Sequence, residues 1–220
     1  MPTINFEAAR RNMIEYQIRC CKVLDPVVLN TLSALPRENF LPEHIRSLAY
    51  MEGHVPLPCG QEMMSPLQEA HVMQSLEITP ADRILEIGSG SGYLTALMAM
   101  HAQEVVSYEL HQELANLATE NMATHGLDNA RIIHANAMDP ELLEDDMFDA
   151  IVIGAALERI PKSMFNHVSE GGHIIAFVGR NPVVTMLRQT CTGNTWRQTS
   201  ILETLLQDME GLPETREFIF

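Results

Sequence analysis

The sequence predicts an α/β fold: a doubly wound, mostly parallel sheet of seven strands, with a helical annex ahead of it. Two observations carry this. From Arg83 onward, short apolar runs alternate with helix-period stretches, the pattern of parallel strands joined by crossover helices. The first of these runs opens into three glycines at alternate positions, Gly88, Gly90 and Gly92, just before a helix. That is where an open α/β sheet binds its ligand.

Taken in order, Phe6, Ala9, Met13, Ile14 and Ile18 recur at helical spacing, so 5–20 reads as a helix. Asp25-Pro26 supplies an N-cap and a first-turn proline for a short helix over 27–35, stopped before Pro36. A further short helix follows Pro42. Between Val55 and Pro66 stand Pro56, Pro58, Gly60 and Pro66, and that density predicts an irregular loop with no regular element. Such a loop in an ordered chain is a candidate for function. Residues 68–76 return to a helix. Strands are predicted at 83–87, 104–109, 131–134, 148–153, 173–178, 199–206 and 216–220, the last two forming a closing hairpin. Helices are predicted at 93–101, at 112–125 with Gly126 as C-cap, and at 161–168. No linker cuts the chain, so 1–77 reads as the annex with its loop and 78–220 as the main domain.

The composition narrows the function. The 220 residues are 46% apolar, enough for a real core. Lys and Arg number 14 against 29 Asp and Glu, for a net charge of −15. Nucleic-acid binding draws on basic residues, so DNA and RNA are poor partners. The four cysteines, Cys20, Cys21, Cys59 and Cys191, form no C-x-x-C pair, and the histidines lack metal-ligand spacing, which argues against a metal site. Together with the absence of a signal-like or membrane-spanning apolar run, this predicts a soluble cytoplasmic protein.

The segment Ile84-Leu-Glu-Ile-Gly-Ser-Gly-Ser-Gly-Tyr93 is the strongest chemical signal. Glycines allow the tight turn and the approach of a ligand to the backbone. Dinucleotide folds require G-x-G-x-x-G, and here Tyr93 stands at the last glycine. Glu86 faces the turn, where it would repel a phosphate but could hold an ammonium. S-adenosylmethionine has an amino group and a sulfonium, and no phosphate. The second strand ends in Glu109, 17 residues after Gly92, where an acid can accept from both ribose hydroxyls. Asn136 follows the third strand and could pair with an adenine edge or be an ordinary turn residue. Asp149 could cap the turn before its strand. The candidate cofactor set is therefore Glu86, Gly88, Ser89, Gly90, Ser91, Gly92, Glu109 and Asn136.

The E-x-G-x-G-x-G pattern on this layout resembles the Rossmann-like class I methyltransferases. Within them, three stretches resemble the protein-L-isoaspartate O-methyltransferases over roughly residues 25–180: Leu35-Pro-Arg-Glu-Asn-Phe40, Leu85 to Thr95, and Phe148 to Ala156 with Ile160-Pro161 and Glu170-Gly-Gly172. The resemblance implies methylation of the carboxylate of L-isoaspartyl residues in aged proteins, after which the ester collapses to a succinimide. It also implies a substrate loop, Gly60-Gln-Glu-Met-Met-Ser-Pro66, whose family counterpart is G-Q-T-I-S-x-P with a serine at the substrate.

This chain departs from that pattern. Glu62 replaces the threonine, Met64 occupies the serine position, and Ser65 is one residue late. Asn136 stands for the usual aspartate, and Gly154-Ala155-Ala156 for threonine-alanine-alanine. Gln61, Met64 and Ser65 are the candidate catalytic residues. Three readings of the loop stay open: a shifted register in which Ser65 serves, a changed acceptor such as a small molecule or another side chain, and loss of catalysis. The helix over 5–21 is open to two uses, a cap over the site or a surface for a partner or second copy in a homodimer.

Overall fold

The structure, a computed structural model, describes residues 4–139, 142–143, 146–193 and 195–212. The annex begins with α1 (Phe6–Met13), capped by Asn5, whose side chain accepts from the Ala8 N–H at 3.0 Å. The helical path continues through a π segment, Ile14–Ile18, and a 3-10 turn, Arg19–Cys21. Helix α2 (Pro26–Ala34) starts as its dipeptide predicts: Asp25 accepts from Val27 N at 2.7 Å and Pro26 takes the first turn. Beyond Pro36 and Pro42 the chain makes only 3-10 turns, Arg37–Phe40 and Glu43–Leu48.

The loop at 55–66 is more ordered than its prolines and glycine suggest. Strands β1 (Val55–Pro56) and β2 (Glu62–Met63) pair antiparallel, Val55 with Met63 and Pro56 with Glu62. Pro56 is tolerated because a two-stranded ribbon has only edges, where the missing N–H goes unnoticed. The hairpin then delivers the chain to α3 (Pro66–Leu76).

The main sheet comprises β3 (Arg83–Ile87), β4 (Glu104–Glu109), β5 (Ala130–His134), β6 (Phe148–Leu157), β7 (Val168–Arg180), β8 (Val183–Thr192) and β9 (Thr195–Thr204), in the order β5-β4-β3-β6-β7-β8-β9. The first five run parallel, and the β7–β8 and β8–β9 pairings are antiparallel, so β8 runs against the other six. The count of seven matches the expectation, but its membership differs. Strand β8 was not anticipated, and the strand expected at 216–220 lies outside the described residues. Only Val184, Met186 and Leu187 of β8 are buried, and the half-polar remainder masked the period. The helix expected at 161–168 is a 3-10 turn, Lys162–His167.

Helices α4 (Tyr93–Ala99) and α5 (Gln112–His125) follow β3 and β4, and Gly126 ends α5 in the left-handed region at φ 66°. Alternate strand residues feed two cores. Ile84, Val105, Val152 and Ile175 pack with α4 and with the annex residues Met13, Ile18, Leu32 and Phe40. Leu85, Val106, Ile151 and Ile174 pack on the opposite face with Phe148 and Met164. Asp149 ties the starts of two neighbouring strands, accepting from Arg83 N at 2.8 Å. The chain leaves β3 toward β4 and β5, then returns to β6 on the other side. The crevice at that reversal is the expected ligand position. No helix among the described residues is long and apolar enough to cross a membrane, and all four cysteines are free.

Candidate active site

The glycine turn is fixed by close approach as much as by φ. Gly88, Gly90 and Gly92 have φ of 91°, 52° and 81°. A Cβ on Gly92 would lie 3.1 Å from the Ala118 Cα and 3.0 Å from the Met122 Cε on α5. Across the crevice, a Cβ on Gly154 of β6 would lie 3.1 Å from the carbonyl oxygens of Ile87 and Gly88 and 3.4 Å from the Met64 Cε. A Cβ on Gly88 would meet nothing within 4 Å: it would project into the cleft that this residue lines.

That cleft opens at the carboxyl ends of four parallel strands. Ile87, Gly88 and Gly90 follow β3, Glu109 and His111 end β4, Asn136 follows β5, and Gly154 and Ala155 belong to β6. Glu109 is only 4% exposed. One of its oxygens accepts from Gly90 N at 2.9 Å and from the Ser89 hydroxyl at 3.4 Å; the other accepts from His111 N at 3.0 Å. The acid therefore braces the turn while forming part of the cleft wall. Asn136 lies on the same wall with its amide engaged, accepting from Met138 N at 3.0 Å and donating to the Gly211 carbonyl at 2.9 Å.

An adjoining cavity is lined by Met64, Glu86, Gly88, Ser89, Ser91 and Gly154, among others. Glu86 is fully buried. One carboxylate oxygen accepts from Ser107 Oγ at 2.6 Å and from the Thr95 hydroxyl; the other has no partner. Burial raises its carboxyl to about 7, the nearby Glu109 charge adding to the shift against the two hydroxyls. A buried carboxylate oxygen without a donor is a vacancy of chemistry that an ammonium would satisfy. Neither cavity is lined by Lys or Arg. The donor set thus fits S-adenosylmethionine and disfavours any phosphorylated cofactor.

The loop closes the cleft from the annex side. Gln61 donates to Glu210 at 2.8 Å, and Gln207 donates to the Gly60 carbonyl at 3.1 Å. Residues 207–211 thereby form a strap across the mouth, held to β6 by Ala156 N donating to the Gln207 carbonyl at 2.8 Å and Met209 N donating to the Ala156 carbonyl at 2.7 Å. Gln61 and Glu62 line the cleft, and Glu62 and Met64 line the Glu86 cavity. Ser65 lines neither. Its hydroxyl accepts from Gln68 N at 3.3 Å and donates to the Gln68 side chain at 3.0 Å, a capping box at the start of α3. The first turn of a helix has unpaired N–H groups that such a hydroxyl satisfies, and this draws Ser65 away from the cleft.

Two residues escaped the sequence reading: Arg37 was quoted without a role, and Glu69 was not named. Arg37 is fully buried, pairs with Glu69 of α3, donates to the Met64 carbonyl, and lays its guanidinium over the Tyr93 ring at 5.0 Å. One side chain thus joins the annex, the loop and the residue after the glycine turn. Burial lowers Arg37 to about 10.

Strand order, turn and anionic cleft together place the chain among the Rossmann-like methyltransferase folds. It belongs to the protein-L-isoaspartate(D-aspartate) O-methyltransferase family, whose model matches residues 8–204. It is 34% identical over 174 residues to the protein-L-isoaspartate O-methyltransferase of Koribacter versatilis, 79% of this chain and 78% of that one. It is 36% identical over 170 residues to that of Methanoculleus marisnigri, 77% of each. A solved structure from Plasmodium falciparum, described as a candidate protein-L-isoaspartate O-methyltransferase in complex with S-adenosyl-L-homocysteine, superposes with a TM-score of 0.76 at 22% identity, covering 94% of this chain and 98% of that one. At that identity the likeness speaks for the fold.

Proposed function

We propose that this chain transfers the methyl group of S-adenosylmethionine to the carboxylate of L-isoaspartyl residues in peptides and proteins. The observation that carries this is the cleft at the β3–β6 reversal, lined by carboxylates and free of Lys and Arg, in a chain of this family. When bound, the cofactor supplies an electrophilic methyl on a sulfonium. The unpartnered Glu86 oxygen suits the amino group, directly or through water; Glu109 suits the ribose, and Asn136 stands where the base would lie, its amide leaving the Gly211 carbonyl if it reads the base edge. An acceptor carboxylate is already ionised at neutral pH, so no strong base is needed. The chain's contribution is to hold the attacking oxygen in line, which alone can lower a barrier by several kcal/mol. Gln61, Glu62 and Met64 form the wall at which that oxygen arrives.

The test is transfer of labelled methyl to an isoaspartyl peptide beside its aspartyl twin. Label on the first only is expected; label on neither, with the demethylated cofactor still bound, would remove the substrate assignment. Failure to bind that product would remove the cofactor assignment as well.

A second reading, a different acceptor on the same fold, is favoured by one observation: Ser65 caps α3 while Met64 packs against Gly154. The Ser65 hydroxyl therefore does not serve the cleft, and Met64 has no hydroxyl to offer in its place. Turnover of a small-molecule panel without isoaspartyl turnover would select it. We place either activity in a reducing, cytoplasmic setting, which the four free thiols support.

A further inference from the structure

We propose that His54 is a positioning residue for the methyl acceptor: as an imidazolium it holds and neutralises Glu62 at the mouth of the cleft, so that an anionic acceptor can approach. This rests on the isoaspartyl reading and adds to it the source of the compensating charge. Glu62 lies where the cofactor cleft meets the Glu86 cavity and lines both. Its side chain is 46% exposed. Uncompensated, its carboxylate would repel an incoming carboxylate.

The hairpin brings the compensation. His54 precedes β1, and the pairing of Pro56 with Glu62 sets the imidazole beside the acid, with Nδ1 3.1 Å from Oε2. Nε2 lies 3.0 Å from the Gln68 side-chain oxygen. The orientation of that amide is fixed by its other neighbours. Its nitrogen is 2.7 Å from the Leu205 carbonyl, which can only accept. Its oxygen receives the Ser65 N–H at 2.8 Å. Both ring nitrogens of His54 therefore face acceptors, and the ring satisfies both only with two N–H groups. Glu203 of β9 lines the same surface hollow as His54.

The pair is also coupled to the loop's anchor, since Gln68 is the residue that completes the capping box with Ser65. His54 thus links the charge at position 62 to the start of α3. Its action on the reaction runs through Glu62, so removing the acid should remove the need for the histidine.

The experiment is a steady-state comparison of wild type, His54→Gln, Glu62→Gln and the double variant, with labelled methyl and an isoaspartyl peptide. His54→Gln should raise the peptide KM roughly tenfold, about 1.4 kcal/mol, with kcat and demethylated-cofactor affinity nearly unmoved. The double variant should return to within about twofold of Glu62→Gln. An unmoved KM, or no rescue by Glu62→Gln, overturns the inference while leaving the proposed function standing. Wild type that binds the demethylated cofactor but neither binds nor methylates the peptide overturns both. Nitrogen NMR of the wild-type ring is a check independent of any variant's folding: two protonated ring nitrogens are expected at pH 7, and a single one overturns the inference.

Discussion

Arg37 of the annex and Glu69 of α3 form a fully buried ion pair directly beneath the backbone of Met64. Neither partner has water to fall back on, so the two are of most consequence when one is lost. Breaking a buried pair by removing one side costs about 3–5 kcal/mol, because the other charge stays behind. Arg37→Ala should lose that much in urea unfolding at pH 7. Arg37→Met with Glu69→Leu should recover most of the stability, since no unpaired charge remains. Methyl transfer should not recover with it, because the Met64 carbonyl and the Tyr93 ring still lack their cation.

Glu86 makes cofactor binding depend on pH. Its carboxyl stands at about 7 in the ligand-free fold, chiefly through burial. A cationic amino group requires the ionised form, so affinity should fall as pH drops below 7, by up to tenfold per unit, and level off above it. Calorimetry with the demethylated product between pH 6 and 8.5 reads this directly. Glu86→Gln should bind more weakly and lose the slope.

The same shift has an opposite sign for the empty fold. With its pKa raised above the unfolded value, native Glu86 holds a proton that the unfolded chain has released, so stability falls as pH rises from about 4.5 to 7. Above 7 the loss is complete, at most about 3 kcal/mol. Glu86→Gln should therefore stabilise the ligand-free protein at pH 8 more than at pH 5, which paired melting curves will show.

Gly92 is held by two constraints at once, φ of 81° and the Ala118 backbone 3.1 Å from where a Cβ would sit. Gly92→Ala should cost about 1–3 kcal/mol and weaken the demethylated product by moving α4 and α5 apart. A melting point within a degree of wild type would show that the helices give way freely.

The parts of this molecule that were legible in sequence are those set by local chemistry. Asp25-Pro26, Gly126 and the strand that opens into Gly88 act within a few residues, and each appears where its residue type requires. The placement of Glu86 and Glu109 beside the glycine turn was legible because each lies toward the carboxyl end of its strand. The ordered hairpin at 55–63, strand β8 and the Arg37 pairing were not, since each depends on a partner outside its own segment. Val55 needs Met63, the half-polar β8 needs β7 and β9, and Arg37 needs Glu69, 32 residues on. Ser65 was legible as a hydroxyl near the right place. Its competing use by the helix became visible only once the capping box could be seen.

That competing use can be separated from catalysis. As an N-cap, Ser65 contributes about 1 kcal/mol, which Ser65→Ala should lose and Ser65→Asp should largely keep, because aspartate caps as well as serine. Neither substitution should change kcat for labelled methyl transfer by more than about twofold, the hydroxyl lying outside both cavities. A hydroxyl acting on the acceptor would behave otherwise: both variants would lose turnover, aspartate more severely through its charge, and the effect would not follow stability. Met64→Ser gives the converse case. It should cost about 2–4 kcal/mol for a side chain that is 8% exposed. If position 64 is where the acceptor meets the loop, it should nonetheless raise kcat/KM for the isoaspartyl peptide. A gain at position 64 together with indifference at position 65 would assign the family's serine register to Met64. Loss at position 65 would return it to Ser65.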